Sequence, residues 1–285
     1  MYCYATDYNT KKVMFPGYEK GYDISKEKKA ITVIWDYFKR KADGSNLVYQ
    51  MGHSPELYES QKNNYLKNRK EINAFKGHKF EKRDTVVVCG SGPSLEPDIE
   101  AINRYRNDVC VVTVNAAQAK IEGDYFVTSE RLDVLSMSAT RTREELEGYV
   151  FNNTIAHVST VAHPNVVKAP WKKITFFSHG FHYEKPRICV PVHFVGRHST
   201  FDALQFAVLK LKAKKVIFTG CDYMYGNQLE RLSVSIIEAA SLIASINGVD
   251  VWNVSQRTAF KNGVKLGSFD EAMSSPIIPE GKGEN

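Results

Sequence analysis

From Thr85 onward the chain alternates short, unbroken apolar runs with longer amphipathic stretches. The runs are Thr85–Cys89, Val109–Val114, Tyr125–Thr128, Thr154–Ser159, Ile174–Phe177, Lys215–Thr219 and Val249–Val254, and segments of helical character lie between them at 97–106, 141–148, 199–212 and 229–246. Valine, isoleucine and phenylalanine in continuous runs, without a polar residue at every second position, suit strands covered on both faces. Strands of that kind alternating with helices predict an α/β fold with a doubly wound, mostly parallel, Rossmann-like sheet. Residues 1–80 have a different texture, polar and aromatic, with helices expected near 25–41 and 54–76. The second of these has Ser54 placed to cap and Pro55 at the first helical position, where its missing N–H costs nothing. The expected organisation is an N-terminal helical extension (1–80), a nucleotide-binding α/β domain (81–272) and a flexible tail (273–285) that carries Pro276, Pro279 and two glycines.

The first apolar run leads straight into Gly90-Ser91-Gly92-Pro93-Ser94-Leu95, with a helix expected to begin near Glu96. Strand, glycine turn and helix start together predict an anion site, because unpaired N–H groups of a first helical turn attract phosphate oxygens and glycines permit close approach. Ser91 and Ser94 add hydroxyls. Two familiar phosphate signatures do not fit: a P-loop ends in Gly-Lys-Ser/Thr, and this turn has no lysine. The dinucleotide fingerprint wants Gly or Ala where Leu95 stands and an acidic residue about twenty positions on, whereas the second strand ends at Asn115.

Ligands of open parallel sheets gather beyond the carboxyl ends of the strands. The residues in those places are Asn115, Ser129-Glu130, Gly220-Cys221-Asp222 and Ser255. Amides, hydroxyls and a carboxylate there can read a base and a ribose. A second helix start, His198-Ser199-Thr200-Phe201-Asp202, shows a Ser-x-x-Asp capping pattern preceded by Gly196 and Arg197 and is a candidate second anion site. His179, His182, His193 and His198 lack the compact pairing of a metal site, so no metal is expected there.

Composition narrows the class. At 43% hydrophobic and 25% charged, the chain is ordinary globular material. Its net charge of +6 is a mild attraction to polyanions, with local clusters at Lys26–Lys29, Lys39–Lys41 and Lys79–Arg83. Five well-separated cysteines without a C-x-x-C pair, no signal-like start and no long apolar run lead us to expect a cytoplasmic protein.

The stretch Val86–Leu95, followed by Thr113-Val114-Asn115 and Asp124–Thr128, resembles the superfamily that holds bacterial CMP-sialic-acid sialyltransferases, flagellin-modifying motility accessory factors and archaeal 6-hydroxymethyldihydropterin diphosphokinases. His198-Ser199-Thr200, then Lys215–Tyr223 with its Gly-x-Asp, then Val249–Ser255 continue the likeness, which covers roughly 84–272. The resemblance implies a sialyltransferase-type GT-A variant fold, with the glycine turn and Asn115 on the nucleotide and Ser199 and Thr200 near the donor. It also implies a general-base histidine after the Gly-x-Asp strand, but residues 223–256 contain none. Asp222, Glu130, His198 and Glu230 are the candidates for that role.

The function expected first is a glycosyltransferase moving a sugar from a nucleotide sugar, CMP-sugar by resemblance, to an acceptor hydroxyl of a saccharide, protein, lipid or modified nucleobase. Leaving-phosphate stabilisation would fall to N–H groups, hydroxyls and Arg197, with no required cofactor. The alternatives are a diphosphokinase, which calls for Mg2+ held by Asp222 and Glu130, and a nucleotide-binding module without catalysis. Residues 1–80 are the expected route to any homo-oligomer.

Overall fold

The computed structural model describes residues 5–7, 12–14, 22–23, 55–135, 151–179, 190, 198–223 and 228–277. Near the N-terminus β1 (Ala5–Asp7), β2 (Lys12–Met14) and β3 (Tyr22–Asp23) pair antiparallel. The N-terminal extension was expected to carry helices near 25–41 and 54–76; among its described residues it carries this small sheet as well as a helix, α1 (Pro55–Ala74). The helix expected at 25–41 and the one at 141–148 lie outside the described residues.

The main sheet has eight strands in the order β11-β10-β9-β4-β5-β6-β7-β8, all parallel. These are β4 (Thr85–Cys89), β5 (Cys110–Val114), β6 (Tyr125–Thr128), β7 (Ile155–Ser159), β8 (Lys173–Phe177), β9 (Lys215–Thr219), β10 (Asp250–Asn253) and β11 (Lys265–Leu266). The chain steps outward from β4 to β8, then returns to the other flank of β4 and steps outward again from β9. The winding therefore reverses between β4 and β9, the place where open parallel sheets form their ligand crevice.

Side chains alternate across the sheet, so each apolar run feeds two cores. Val86, Val88, Val112, Val114, Val216 and Phe218 face α4 (Ser199–Gln205, continued by a wider turn at Phe206–Lys210) and α5 (Gln228–Ile246), meeting Phe201, Leu204 and Ile237. Val87, Cys89, Val111 and Ile217 face the opposite way, onto Leu95 and Ile102 of α2 (a 3-10 turn over Pro93–Asp98 running into Ile99–Arg104) and Phe269 of α6 (Phe269–Ser274). Further along that face, Phe126, Ala156, Val158 and Phe176 pack on Tyr65 and Ile72 of α1, beside α3 (Pro164–Lys168). Burying each such side chain contributes roughly 1.5–3 kcal/mol.

α1 is also pinned by hydrogen bonds. Asn64 donates to the carbonyls of Arg131 (3.0 Å) and Val161 (3.2 Å), and Asn68, one turn on, to those of Thr160 (3.2 Å) and Ala162 (2.8 Å). The helix and the α/β sheet thus share one core. At the other end, Ser268 and Glu271 form a reciprocal capping box that holds α6 through Ser274, so the helix includes the first two residues of the stretch expected as a tail.

Candidate functional site

The glycine turn and the Gly-x-Asp loop, far apart in sequence, follow the two strands on either side of the reversal, and each fits into the other. Gly90 N–H donates to Thr219 O (2.8 Å), Gly92 N–H to Gly220 O (2.8 Å) and Ser94 N–H to Asp222 Oδ2 (3.0 Å). A Cβ on Gly92 would collide with Asp222 Oδ2 and lie 2.7 Å from Gly220 O. One on Gly220, whose φ of +65° already excludes most side chains, would collide with Gly90 O and stand 2.8 Å from Leu95 Cβ. The glycines are therefore explained by loop-against-loop packing.

This alters the expected phosphate cradle. Of the amides in the turn, those of Gly90, Gly92 and Ser94 are engaged as described, Leu95 N–H returns to Gly92 O (3.1 Å), and Pro93 has none. Ser91, exposed at the tip, keeps both its N–H and its hydroxyl without a partner among the described residues. Buried Ser94 turns its hydroxyl to Arg257 N–H at 3.4 Å. The anion-binding capacity of the turn thus rests on Ser91, the Ser94 hydroxyl and whatever cation stands beside them. Arg257, exposed after β10 and missed in the sequence because it lies beyond the last apolar run, meets the turn through its backbone N–H on Ser94 Oγ.

Asp222 stands where the two loops meet. It is 6% exposed, one oxygen receives Ser94 N–H, and its other oxygen, Oδ1, is buried without a hydrogen-bond partner. A buried carboxylate oxygen left without a donor costs about 1–3 kcal/mol or more, so it marks a place where an incoming donor is rewarded. Asp98 stands close enough to feel its charge: burial raises the Asp98 carboxyl above the usual range, the Thr219 hydroxyl that donates to Asp98 at 2.6 Å opposes the rise, and the charge of Asp222 adds to it. Asp98 looked like an ordinary helical residue in the sequence, because nothing local to it announces the loop after β9.

The loop after β10 holds this arrangement in place. Ser255 Oγ accepts Cys221 N–H (3.0 Å), Thr258 donates to Cys221 O (2.8 Å) and Ala259 N–H to Asp222 O (2.9 Å). Ser255 is thereby a strut of the crevice. Burial pushes the Cys221 thiol up to about 12, helped by the nearby charge of Asp222, so it is no nucleophile. Thr200, buried in α4, reaches the same thiol by a side-chain hydrogen bond.

A second group of expected residues meets at the ends of β5 and β6. Asn115 has φ +52°, a conformation an asparagine tolerates, and its Oδ1 accepts the Thr128 hydroxyl at 2.7 Å, which leaves the Nδ2 donors for a ligand. Ser199 Oγ accepts Ser129 N–H at 2.9 Å and lies 3.2 Å from Ser129 Oγ. The capping pattern expected at Ser199-x-x-Asp202 is corrected: His198 is the N-cap and gives no side-chain bond, while Ser199 serves the end of β6 and buried Asp202 pairs with buried His179 at 3.1 Å.

Two of the candidate bases are occupied. Glu130 Oε1 accepts the N–H groups of Arg131 (2.9 Å) and Leu132 (3.3 Å), closing its own turn. His198 is held between Ser233 O on Nε2 (3.1 Å) and the Tyr223 hydroxyl on Nδ1 (3.1 Å), and burial pulls its pKa down to about 4, so at neutral pH it has little tendency to take a proton. Arg197, His182 and His193 lie outside the described residues, as does the side chain of Glu230.

An all-parallel, doubly wound sheet whose winding reverses between β4 and β9 defines a Rossmann-like α/β architecture. The chain belongs to the family described as 6-hydroxymethylpterin diphosphokinase MptE-like, whose sequence model matches residues 59–228, more than half of the chain. A solved structure, that of MAf glycosyltransferase from Magnetospirillum magneticum AMB-1, superposes with a TM-score of 0.56 at 15% sequence identity, over 76% of this chain and 39% of that one. The chain thus spans about two-fifths of that neighbour's length, and the likeness is one of fold. No curated protein matches the sequence. Both findings fall within the superfamily that the glycine turn and the Gly-x-Asp strand resemble, and the structure bears out the doubly wound α/β expectation.

Proposed function

We propose that this protein is a glycosyltransferase that moves a sugar from a nucleotide-sugar donor, with a CMP-sugar as the first candidate, to an acceptor hydroxyl. The observation that carries the reading is the unpartnered Oδ1 of Asp222 at the reversal of the sheet, on a carboxylate that Ser94 N–H ties to the glycine turn. The donor's phosphate would lie against Ser91 N–H, the Ser91 and Ser94 hydroxyls and the Arg257 guanidinium, which stabilise charge as the glycosidic bond breaks. The Asn115 Nδ2 donors suit the carbonyl of a base. Asp222 Oδ1 is the group here able to receive a proton-bearing substrate hydroxyl, its orientation fixed through Oδ2 by Ser94 N–H. Incubation with CMP-, UDP- and GDP-sugars tests this: release of nucleotide, or transfer to an added saccharide, supports it, and neither turnover nor binding across the panel would sink it.

The family match favours one other reading, transfer of pyrophosphate from ATP. Asp98 and Asp222 fit the few carboxylates that Mg2+ takes alongside phosphates and waters, while Glu130 is turned to its own backbone. A magnesium ion held there would shield the charge of the transferring phosphates. Strict Mg2+ dependence with AMP release from ATP would select this reading over the first.

A further inference from the structure

The end of the sheet opposite the crevice, where β4, β8 and β9 begin, carries a charge pattern that the candidate site does not use. Three stretches distant in sequence meet there: residues 76–84, Lys172–Lys173 and residues 210–214. Lys173 Nζ lies 2.9 Å from His78 Nδ1, Arg83 N–H donates to Leu211 O (2.8 Å), and Lys214 N–H donates to Asp84 O (2.9 Å). Together they hold nine of the chain's 38 Lys and Arg but two of its 32 Asp and Glu, a balance of +7 that leaves 29 cations against 30 carboxylates elsewhere. These three stretches thus carry +7, against −1 for the rest of the chain.

Both carboxylates are already committed, Glu81 to Arg83 (2.7 Å) and Asp84 to Lys214 (2.9 Å). Lys76, Lys79, Lys82, Lys172, Lys173 and Lys212 are exposed and have no ion pair among the described residues. The cations crowd one another. Burial, and then Lys212, lowers the pKa of Lys210; burial, and then Lys173, lowers that of His78. Asp108, Glu122 and Asp124 precede β5 and β6 on the same edge, and Arg106 pairs with Asp124 at 3.2 Å. Like charge gathered in one place works against the compact state, and it attracts an extended anion.

The kind of anion follows from the side chains. Eight of the nine cations are lysines, and the one arginine is paired to Glu81. Nucleic-acid surfaces draw on free guanidinium forks and on exposed rings for stacking. Here Phe80 packs edge-on against Tyr125, His157 and Phe206, and Trp171 stacks on Phe126 at 4.7 Å, so the local rings are spent inward. Flexible lysines without exposed rings suit the diffuse plane of phosphate headgroups. We propose that this lysine edge adsorbs the protein peripherally to an anionic lipid surface, with the crevice at the other end of the strands facing away from the bilayer. Among the described residues no helix is long and apolar enough to cross a membrane, and the exposed lysines make the proposed contact an electrostatic one. The proposal is independent of which group the crevice transfers.

The test is co-sedimentation of the full chain with phosphatidylcholine vesicles with and without phosphatidylserine at about 0.1 M salt. Binding should require the anionic lipid and vanish as salt is raised. K79Q/K82Q/K212Q should lower partitioning about 100-fold, roughly fivefold per lysine, while keeping its melting temperature and any thermal response to nucleotide. Equal binding to neutral vesicles, no binding to anionic ones, an unchanged triple variant, or displacement of the protein from vesicles by short duplex DNA or single-stranded RNA at lower phosphate concentration would each overturn it.

Discussion

Ser94 and Asp222, 128 residues apart, meet in one hydrogen bond: the Ser94 N–H donates to Asp222 Oδ2 at 3.0 Å, while Asp222 Oδ1 stays buried without a partner. The bond makes the carboxylate both a structural acceptor and a chemical group, and conservative substitution separates the two. Asp222→Asn retains an oxygen for Ser94 and should fold normally, whereas Asp222→Ala strands the Ser94 N–H and should cost about 1–3 kcal/mol. Both should lose at least about 100-fold in transfer rate if Oδ1 handles the substrate hydroxyl. Urea melts alongside single-turnover rates would show it, and an Asp222→Asn variant with wild-type turnover would remove Asp222 from the chemistry.

The interlocked glycines should be costly to replace for reasons of packing. Gly220→Ala adds the strain of φ +65°, about 1–2 kcal/mol, to a collision with Gly90 O, so we expect more than about 3 kcal/mol in all. Gly248 is the control: its φ is +85°, but a Cβ there meets nothing within 4 Å. Gly248→Ala should show the backbone strain alone, and equal melting temperatures for the two variants would contradict the loop-against-loop picture.

Arg257 lends itself to a cleaner binding test, because its side chain is exposed and only its N–H, which reaches Ser94 Oγ, joins the local bonding. Arg257→Ala should leave the melting temperature unchanged and weaken nucleotide binding about 10-fold or more, the worth of one charge-assisted hydrogen bond. Calorimetric titration with CMP and with cytidine should show the loss for the nucleotide alone. A loss of the same size for cytidine would place Arg257 away from the phosphate.

His198 ties stability to pH. Its folded pKa, about 4, lies below the ordinary histidine value of 6.5, so the unfolded chain binds the proton more readily. The neutral ring costs nothing above pH 6.5, and stability is lost as pH falls from there through 4, by roughly 3 kcal/mol if the full shift is realised. His198→Gln should flatten that part of the profile in denaturant melts at successive pH values; a variant that retains the full acid sensitivity would assign it to other groups.

Asn68 fastens α1 to the sheet through two buried carbonyl contacts, at 3.2 and 2.8 Å. Asn68→Ala should lower stability by about 1–3 kcal/mol and raise amide exchange in residues 160–162 ahead of the rest of the sheet. Uniform exchange across the fold would show that α1 is no clamp on that loop.

The strands were legible because burial on both faces writes itself into the sequence. The runs at Thr85, Tyr125 and Lys215 became β4, β6 and β9 with the bounds read for them, and the others shifted by one or two residues. Elements that rest on few residues were not legible: β11 is a two-residue edge pair with both side chains exposed, and α3 is a five-residue helix. The capping box at Ser268 and Glu271 is written in the sequence, but it lay against a stretch read as tail. Topology alone carries the strand-end residues to one edge of the sheet, where they form two groups, one about Asp222 and one about Asn115 and Ser199. Their partners did not announce themselves. That the turn's amides would be spent on the loop after β9, that Asp98 would neighbour Asp222, and that Asp202 would pair with His179 depend on contacts between distant segments, to which local pattern is blind.

The most direct measurement is a crystal structure of the protein with CMP. The account predicts nucleotide at the carboxyl ends of β4, β5 and β9, with a hydroxyl or amino donor on Asp222 Oδ1 and the phosphate beside Ser91 and Arg257. Nucleotide bound elsewhere, with Asp222 Oδ1 still unpartnered, would contradict it.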